Sequence, residues 1–217
     1  MIKNKLTQII YRTIYIVLGV IGIIGSFGYF KENFNEDFYL YYTNLSNYIC
    51  FGVILYALIK TIKSYKTSPE GYCNVLPKFK FMSLIMILVT CLVYNILLAK
   101  DYTVADYFFS ISNLILHLIL PIMFTLDWVL FTEHRQTKWY YPLLATVMPL
   151  IYVVLILIRA AILGNSYHGL LYPYFFLNVA KIGFGGVIGW VAILVLVFVA
   201  LGYIIFGLDH IKKIYKK

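Results

Sequence analysis

Six long apolar runs, separated by short polar segments, constrain this chain more than any other feature of its sequence. They extend over approximately residues 9–30, 38–62, 79–98, 107–131, 142–163 and 183–208. A helix needs about 20 apolar residues to cross the hydrocarbon core of a bilayer. Since backbone polar groups inside lipid must be bonded within the protein, each run is predicted to be a transmembrane helix.

Composition supports the same prediction. Of the 217 residues, 62% are hydrophobic and only 12% are charged, whereas soluble domains are roughly half apolar and about one quarter charged. The six runs leave no room for a separate soluble domain. We therefore predict a single all-α domain over residues 1–217, an integral membrane bundle of six transmembrane helices. In the first run, Gly19, Gly22 and Gly25 predict close packing against a neighbouring helix.

The distribution of basic residues predicts an orientation. If the N-terminus is cytoplasmic, fourteen of the eighteen lysines and arginines fall in cytoplasmic segments and three in outer ones. The fourteen are Lys3, Lys5, Arg12, Lys60, Lys63, Lys66, Lys78, Lys80, Arg135, Lys138, Lys212, Lys213, Lys216 and Lys217, and the three are Lys31, Lys100 and Lys181. This bias predicts a multi-pass protein of the cell membrane with both termini in the cytoplasm. It also accounts for the net charge of +9 without nucleic acid as a partner.

Polar residues inside the apolar runs are concentrated in the second, third and fourth runs. Polar groups in a bilayer are costly, so they mark either helix contacts or a functional site. Helical spacing places Ser110, Asn113 and His117 on one face. We therefore predict a polar pocket between these three helices. Its candidate lining residues are Thr43, Asn44, Asn47, Tyr94, Ser110, Asn113 and His117.

His117 and Thr43 are the two residues with the clearest chemical alternatives. His117, the one histidine within an apolar run, either forms an interhelical hydrogen bond or acts as a proton relay or catalytic base. Thr43 either bonds to its own helix backbone or serves as a nucleophile, for which His117 is the nearest candidate base. No second ligand lies at metal-binding spacing, and no cofactor is implied.

Asp127 and Arg159 lie near opposite ends of their runs and are predicted not to pair. Their depths in the membrane differ by roughly 18 Å. Asp127 is expected to face Trp128, Arg135 or Lys138. Arg159 is expected either to extend toward the interface or to bind a lipid head group or carboxylate at the mouth of the pocket.

Three stretches carry a resemblance to a known family: Tyr42-Thr43-Asn44-Leu45-Ser46-Asn47, His117 with Leu120-Pro121 and Asp127-Trp128, and Tyr172-Pro173-Tyr174-Phe175-Phe176. Together they resemble small bacterial six-helix membrane proteins. That family is distantly similar to the eukaryotic androgen-induced proteins and their relative that regulates tissue-factor-pathway inhibitor. The eukaryotic proteins are threonine hydrolases that cleave esters of fatty acids with hydroxy fatty acids. The resemblance implies that Thr43 is the nucleophile and His117 its base.

Three functions remain open from the sequence. The first is an intramembrane hydrolase of lipid or fatty-acid esters, with membrane lipids as partners and Asn47 or Asn113 as oxyanion donors. The second is a transporter or lipid-binding protein that uses the same pocket, with His117 as a proton relay. The third is a non-catalytic scaffold whose polar residues join helices. The predicted helix starts place Thr43 and His117 roughly 7 Å apart in depth.

Overall fold

The computed structural model describes residues 2–31 (Lys31 in its backbone alone), 34–99, 103, 107–108, 110–164 and 167–211. Within these residues, six helices are long and apolar enough to cross a membrane, which confirms the predicted all-α bundle. They are α1 (Lys5–Ser26), α2 (Tyr42–Tyr65), α3 (Pro77–Leu98), α4 (Ile111–Phe131), α5 (Tyr141–Leu163) and α6 (Val179–His210). Lys100, Lys212, Lys213, Lys216 and Lys217 of the predicted charge pattern lie outside the described residues.

The first two helices begin at residues other than the predicted ones, for local reasons. α1 begins at Lys5 because the Asn4 side chain accepts a hydrogen bond from the Thr7 backbone N–H at 2.9 Å and caps the helix. α2 begins at Tyr42, since Phe38–Leu40 forms a separate 3-10 turn. Hydropathy alone predicts neither the Asn4 cap nor the turn at Phe38–Leu40.

α6 begins before its predicted start at Gly183. The Asn178 side chain accepts from the backbone N–H of Lys181 at 3.0 Å, so the helix begins at Val179. Gly183 itself has φ +69° and ψ +166° and interrupts the helix. A glycine adopts this conformation without the steric cost that a Cβ would add.

The two described ends of the chain lie at the same end of the bundle. The Ile2 backbone N–H donates to the Leu130 carbonyl at 2.9 Å, and the Gly71 N–H donates to the Lys3 carbonyl at 2.8 Å. The loop after α4 bonds to Asp209 in the last turn of α6. We call this the terminal end of the bundle and the opposite end the distal end.

α1 packs against the bundle with its polar side inward. Its buried residues recur every three or four positions and are Lys5, Gln8, Arg12, Tyr15, Gly19 and Gly22. Its exposed residues are apolar, among them Leu6, Ile10 and Ile14. A Cβ at Gly22 would lie 2.8 Å from the Leu116 side chain, so this glycine allows α1 to approach α4, as the sequence predicts.

One buried carboxylate connects three helices near the terminal end. Arg12 Nε donates to Asp127 Oδ1 at 2.7 Å, and Lys80 Nζ donates to Asp127 Oδ2 at 2.5 Å. The two cations also bond to hydroxyls, Arg12 Nη1 to Thr61 at 2.6 Å and Lys80 Nζ to Thr132 at 2.7 Å. We call Arg12, Lys80 and Asp127 the buried ion triad.

The triad corrects the expectation that Asp127 faces Trp128, Arg135 or Lys138. That expectation used only residues close to Asp127 in the sequence, whereas its partners come from α1 and α3. Arg12 and Lys80, counted as loop or flanking charges, are completely buried or nearly so. They therefore serve the packing of the helices in addition to any effect on orientation.

Asp127→Asn is expected to destabilise the protein severely, by about 3–5 kcal/mol, because it leaves two buried cations without a counter-ion. Lys80→Met is expected to lower the free energy of unfolding by less, since Arg12 and Asp127 remain a pair of opposite charges. Thermal unfolding of the purified protein in detergent measures both effects, with the exposed Glu36→Gln as a charge-matched control. A larger loss for Lys80→Met than for Asp127→Asn would contradict the proposed electrostatic balance.

A second polar contact joins the loop after α4 to α6 at the terminal end. His134 Nδ1 lies 2.8 Å from Asp209 Oδ1, and its Nε2 lies 3.1 Å from the Val129 carbonyl oxygen. Both ring nitrogens therefore face acceptors, an arrangement that the doubly protonated ring satisfies completely. The hydrogen bond to Asp209 raises the pKa of His134, although partial burial acts in the opposite direction.

A raised pKa in the folded state means that this contact stabilises the protein fully below the unfolded pKa of about 6.5. The contribution is lost as pH rises through the higher pKa of folded His134. Wild type should therefore exceed His134→Gln in melting temperature most clearly near pH 5.5, and the difference should shrink toward pH 8.5. The exposed His168→Gln is the control. A difference that grows with pH would exclude this role.

Candidate functional site

A largely apolar pocket with a cavity volume of about 60 Å³ lies between α2, α3, α5 and α6. This volume is below the roughly 300–1,000 Å³ of typical small-molecule sites, so an acyl chain would enter only as side chains of the wall move apart. Apolar side chains from α3, α5 and α6 make most of the wall, including Val93, Val153, Leu194 and Phe198. The hydroxyl-bearing residues of the wall are Tyr42, Thr43, Thr90, Tyr152 and Tyr174. We call this the apolar pocket.

Thr43 lies in the first turn of α2, buried in the wall of the apolar pocket. The first backbone N–H groups of a helix have no partner inside the helix. The Thr43 N–H donates instead to the Tyr174 hydroxyl oxygen at 3.2 Å. The neighbouring Asn44 has a structural contact, since its Nδ2 donates to the Phe38 carbonyl at 2.8 Å.

Tyr174 brings a second hydroxyl to Thr43 from the segment between α5 and α6. Burial raises the pKa of Tyr174 to about 12, so its hydroxyl is protonated at neutral pH. Because the oxygen accepts from Thr43, the proton remains available for donation. Sequence reasoning assigned Tyr174 no role, although it stands in one of the three stretches that carry the family resemblance.

Two more tyrosines complete the polar part of the wall. The Tyr152 hydroxyl donates to the Leu40 carbonyl at 2.6 Å, which fixes α5 against the start of α2. The Tyr42 ring packs edge-on against Tyr152 with centroids 5.1 Å apart. Its own hydroxyl is buried without a hydrogen-bond partner among the described residues. The pocket wall thus retains one polar group with unused bonding capacity.

Asn47 and Ser46 connect α2 to its neighbours behind Thr43. Asn47 Nδ2 donates to the Thr43 carbonyl at 2.8 Å and to the Leu116 carbonyl on α4 at 3.0 Å. The Ser46 and Thr90 hydroxyls lie 2.7 Å apart and join α2 to α3. Both amide protons of Asn47 are therefore committed to backbone oxygens, which leaves none for an oxyanion.

His117 lies in a π-helical turn, Ile115–Ile119, within α4. Its side chain is buried and stacks on Tyr94 of α3, with ring centroids 3.6 Å apart and an interplanar angle of 17°. Tyr94 begins a second π-helical turn, and Asn95 Nδ2 donates from it to the His117 carbonyl at 3.1 Å. Single π turns are frequent at functional sites.

Thr43 and His117 have different neighbours in the structure. Thr43 lines the apolar pocket, and His117 is absent from that wall. Among the hydrogen bonds of the described residues, none joins the two. His117 Nδ1 is buried without a hydrogen-bond partner in the described part of the chain. Direct proton transfer requires a separation of about 3 Å or one bridging water.

Ser110 and Asn113 lie at the beginning of α4, half-buried and away from the apolar pocket. Ser110 directly precedes the helix, and Asn113 occupies its first turn. The prediction that they share a face with His117 assumed regular spacing of 3.6 residues per turn. The π turn at His117 departs from that spacing, and hydrophobic periodicity does not predict it.

Arg159 lies two turns beyond Tyr152 on α5, toward the distal end. Its Nη1 donates to the carbonyls of Leu170 and Leu171 at 2.9 and 3.2 Å. The guanidinium carbon lies 5.6 Å from the centre of the Tyr167 ring. Arg159 thus supports the segment that carries Tyr174, and it lines a second pocket of its own.

The similarity to the androgen-induced proteins depends on three short stretches, of which the structure brings the first and third into contact through Thr43 and Tyr174. That contact concerns geometry alone and leaves the family membership a prediction. Comparison of the chain with protein-family models, with curated proteins and with solved structures gives no match.

Proposed function

We propose that this integral membrane protein binds the apolar chain of a lipid or fatty-acid ester in the apolar pocket beside Thr43. The observation that carries the proposal is the composition of the pocket wall, which is almost entirely apolar and has Thr43, in contact with Tyr174, among its lining residues. An acyl chain matches the apolar part of the wall. The ester group would lie beside Thr43 and Tyr174, whose hydroxyls present almost no surface to the cavity and would have to turn toward it.

The hydroxyl-bearing residues of the wall are those able to distinguish one lipid from another, once their hydroxyls turn toward the ligand. A chain that moves from the bilayer into the pocket exchanges one apolar environment for another, so it gains little hydrophobic free energy. Hydrogen bonds, which are stronger in a low-dielectric environment, therefore contribute a larger share of the binding free energy. Tyr174 has a proton to donate, and the Tyr42 hydroxyl has no hydrogen-bond partner among the described residues.

The proposal includes the orientation in the cell membrane. Basic residues predominate in the described segments at the terminal end, including Lys66, Lys78, Arg135 and Lys138. By the positive-inside rule, we assign this end and both termini to the cytoplasm. The apolar pocket then lies in the outer half of the bilayer. Accessibility of single cysteines introduced at Lys138 and Lys181 to an impermeant reagent reports this assignment.

Leu194→Trp is expected to fill the apolar pocket and to weaken binding of tritiated methyl oleate to the purified protein by tenfold or more. Leu196→Trp, an exposed position on the same helix, is the matched control and should bind as wild type does. Binding is measured by scintillation proximity in detergent micelles. Equal binding by the two variants would refute the pocket as the ligand site.

A second candidate function, ester hydrolysis, is favoured by the position of Thr43 in the wall next to Tyr174. Thr43 Oγ1 would attack the ester carbonyl carbon, with Tyr174 donating to the developing oxyanion. The alcohol leaves with a proton, and water then releases the acid and restores the threonine. Since none of the hydrogen bonds in the described part of the chain joins His117 to Thr43, His117 would act as the base only through a bridging water or a rearrangement.

A fluorophosphonate probe tests this chemistry on the purified protein. If Thr43 is the nucleophile, the probe should label wild type but not Thr43→Ala, and Tyr174→Phe should slow labelling about a hundredfold through loss of an oxyanion donor. Thr125→Ala, on the far part of α4, is the control and should label as wild type does. Equal labelling of wild type and Thr43→Ala would eliminate Thr43 as the nucleophile.

A further inference from the structure

Arg159 is a cation at the distal end of α5 without a carboxylate partner among the described residues. The ion pairs of the described chain involve Asp127 and Asp209, which lie toward the terminal end. A half-buried guanidinium in a transmembrane helix is costly unless an anion, a polar partner or water compensates its charge. The two loop carbonyls that Arg159 contacts are neutral, so they do not balance its charge.

The guanidinium retains bonding capacity toward the second pocket. Of its nitrogens, Nη1 alone bonds to described groups, the Leu170 and Leu171 carbonyls. Nε and Nη2 make no hydrogen bond within the described chain, and their fixed geometry suits the two oxygens of a carboxylate or phosphate. The second pocket is otherwise lined by apolar and aromatic side chains: Tyr39, Leu155, Ile158, Ile162, Leu163 and Tyr167.

Arg159 is also close to the apolar pocket. Tyr152 lines that pocket and lies seven residues earlier on α5, so the two side chains share a helix face about 10 Å apart. The loop gives a second bound. Tyr174 is three residues beyond Leu171, which limits the backbone separation to about 11 Å. A single amphiphile can therefore reach from the guanidinium to the pocket.

We infer that the ligand is an amphiphile with an anionic head group, a carboxylate or phosphate that Arg159 binds while the chain occupies the apolar pocket. This inference rests on the proposed lipid-binding function and narrows its ligand class. A charged head group supplies the recognition that the apolar chain lacks in a bilayer. The position of Arg159 toward the distal end places that head group near the membrane interface. A charged group there loses less hydration free energy than it would at the centre of the bilayer.

The experiment compares three tritiated ligands of equal chain length, oleate, oleyl phosphate and oleyl alcohol, bound to the full chain in neutral detergent. We expect wild type to bind at least one charged ligand about tenfold or more tightly than the alcohol. Arg159→Gln should lose that preference and keep its binding of the alcohol, which also shows that the variant is folded. Arg159→Lys should retain part of the preference, and Lys181→Gln, an exposed cation, all of it.

The outcomes separate this inference from the function on which it rests. Tighter binding of oleate identifies a fatty-acid carboxylate as the head group, and tighter binding of oleyl phosphate identifies a phosphate. Equal binding of all three ligands by wild type, or an undiminished preference in Arg159→Gln, overturns the inference even where Leu194→Trp still abolishes binding. Insensitivity of all three ligands to Leu194→Trp refutes the apolar pocket itself.

Discussion

Asp127 holds α1, α3 and α4 together through two buried cations, and α2 joins the same network through Thr61. Transfer of three charged groups out of water is costly, so the triad is stable only while its hydrogen bonds are complete. Its carboxylate and cations all have such partners, including Thr61 and Thr132. Displacement of any of the three helices along its axis would break these bonds, so the triad favours one register for the three helices.

The packing of α1 against α4 continues toward the distal end of the bundle. With α1 and α4 fixed, Gly22 lies against Leu116, and the Leu116 carbonyl becomes the acceptor for Asn47. Asn47 in turn holds the carbonyl of Thr43. A continuous set of contacts thus runs from the charged terminal end to the wall of the apolar pocket. The polar residues of α2 thus join neighbouring helices and also contribute to the wall of the apolar pocket.

The membrane fold could be predicted from the sequence because hydropathy and length decide it. The partners of Asp127 could not, since they depend on how three helices meet. Arg12 and Lys80 resemble flanking charges when each run is considered alone. The stacking of His117 on Tyr94 was equally hidden, because it requires π turns in two helices. The chemistry of Thr43 makes it a candidate from the sequence alone, whereas its contact with Tyr174, 131 positions later, depends on the fold.

The order of the triad residues along the chain also has a consequence for synthesis. A ribosome delivers helices to the membrane from the N-terminus onward. Arg12 and Lys80 therefore enter before Asp127 has been made. Both lie within about 11 Å of the terminal end of their helices, close enough for their long side chains to reach water in the meantime. Insertion of α4 then supplies the counter-ion, so the triad can form only once α4 is in place.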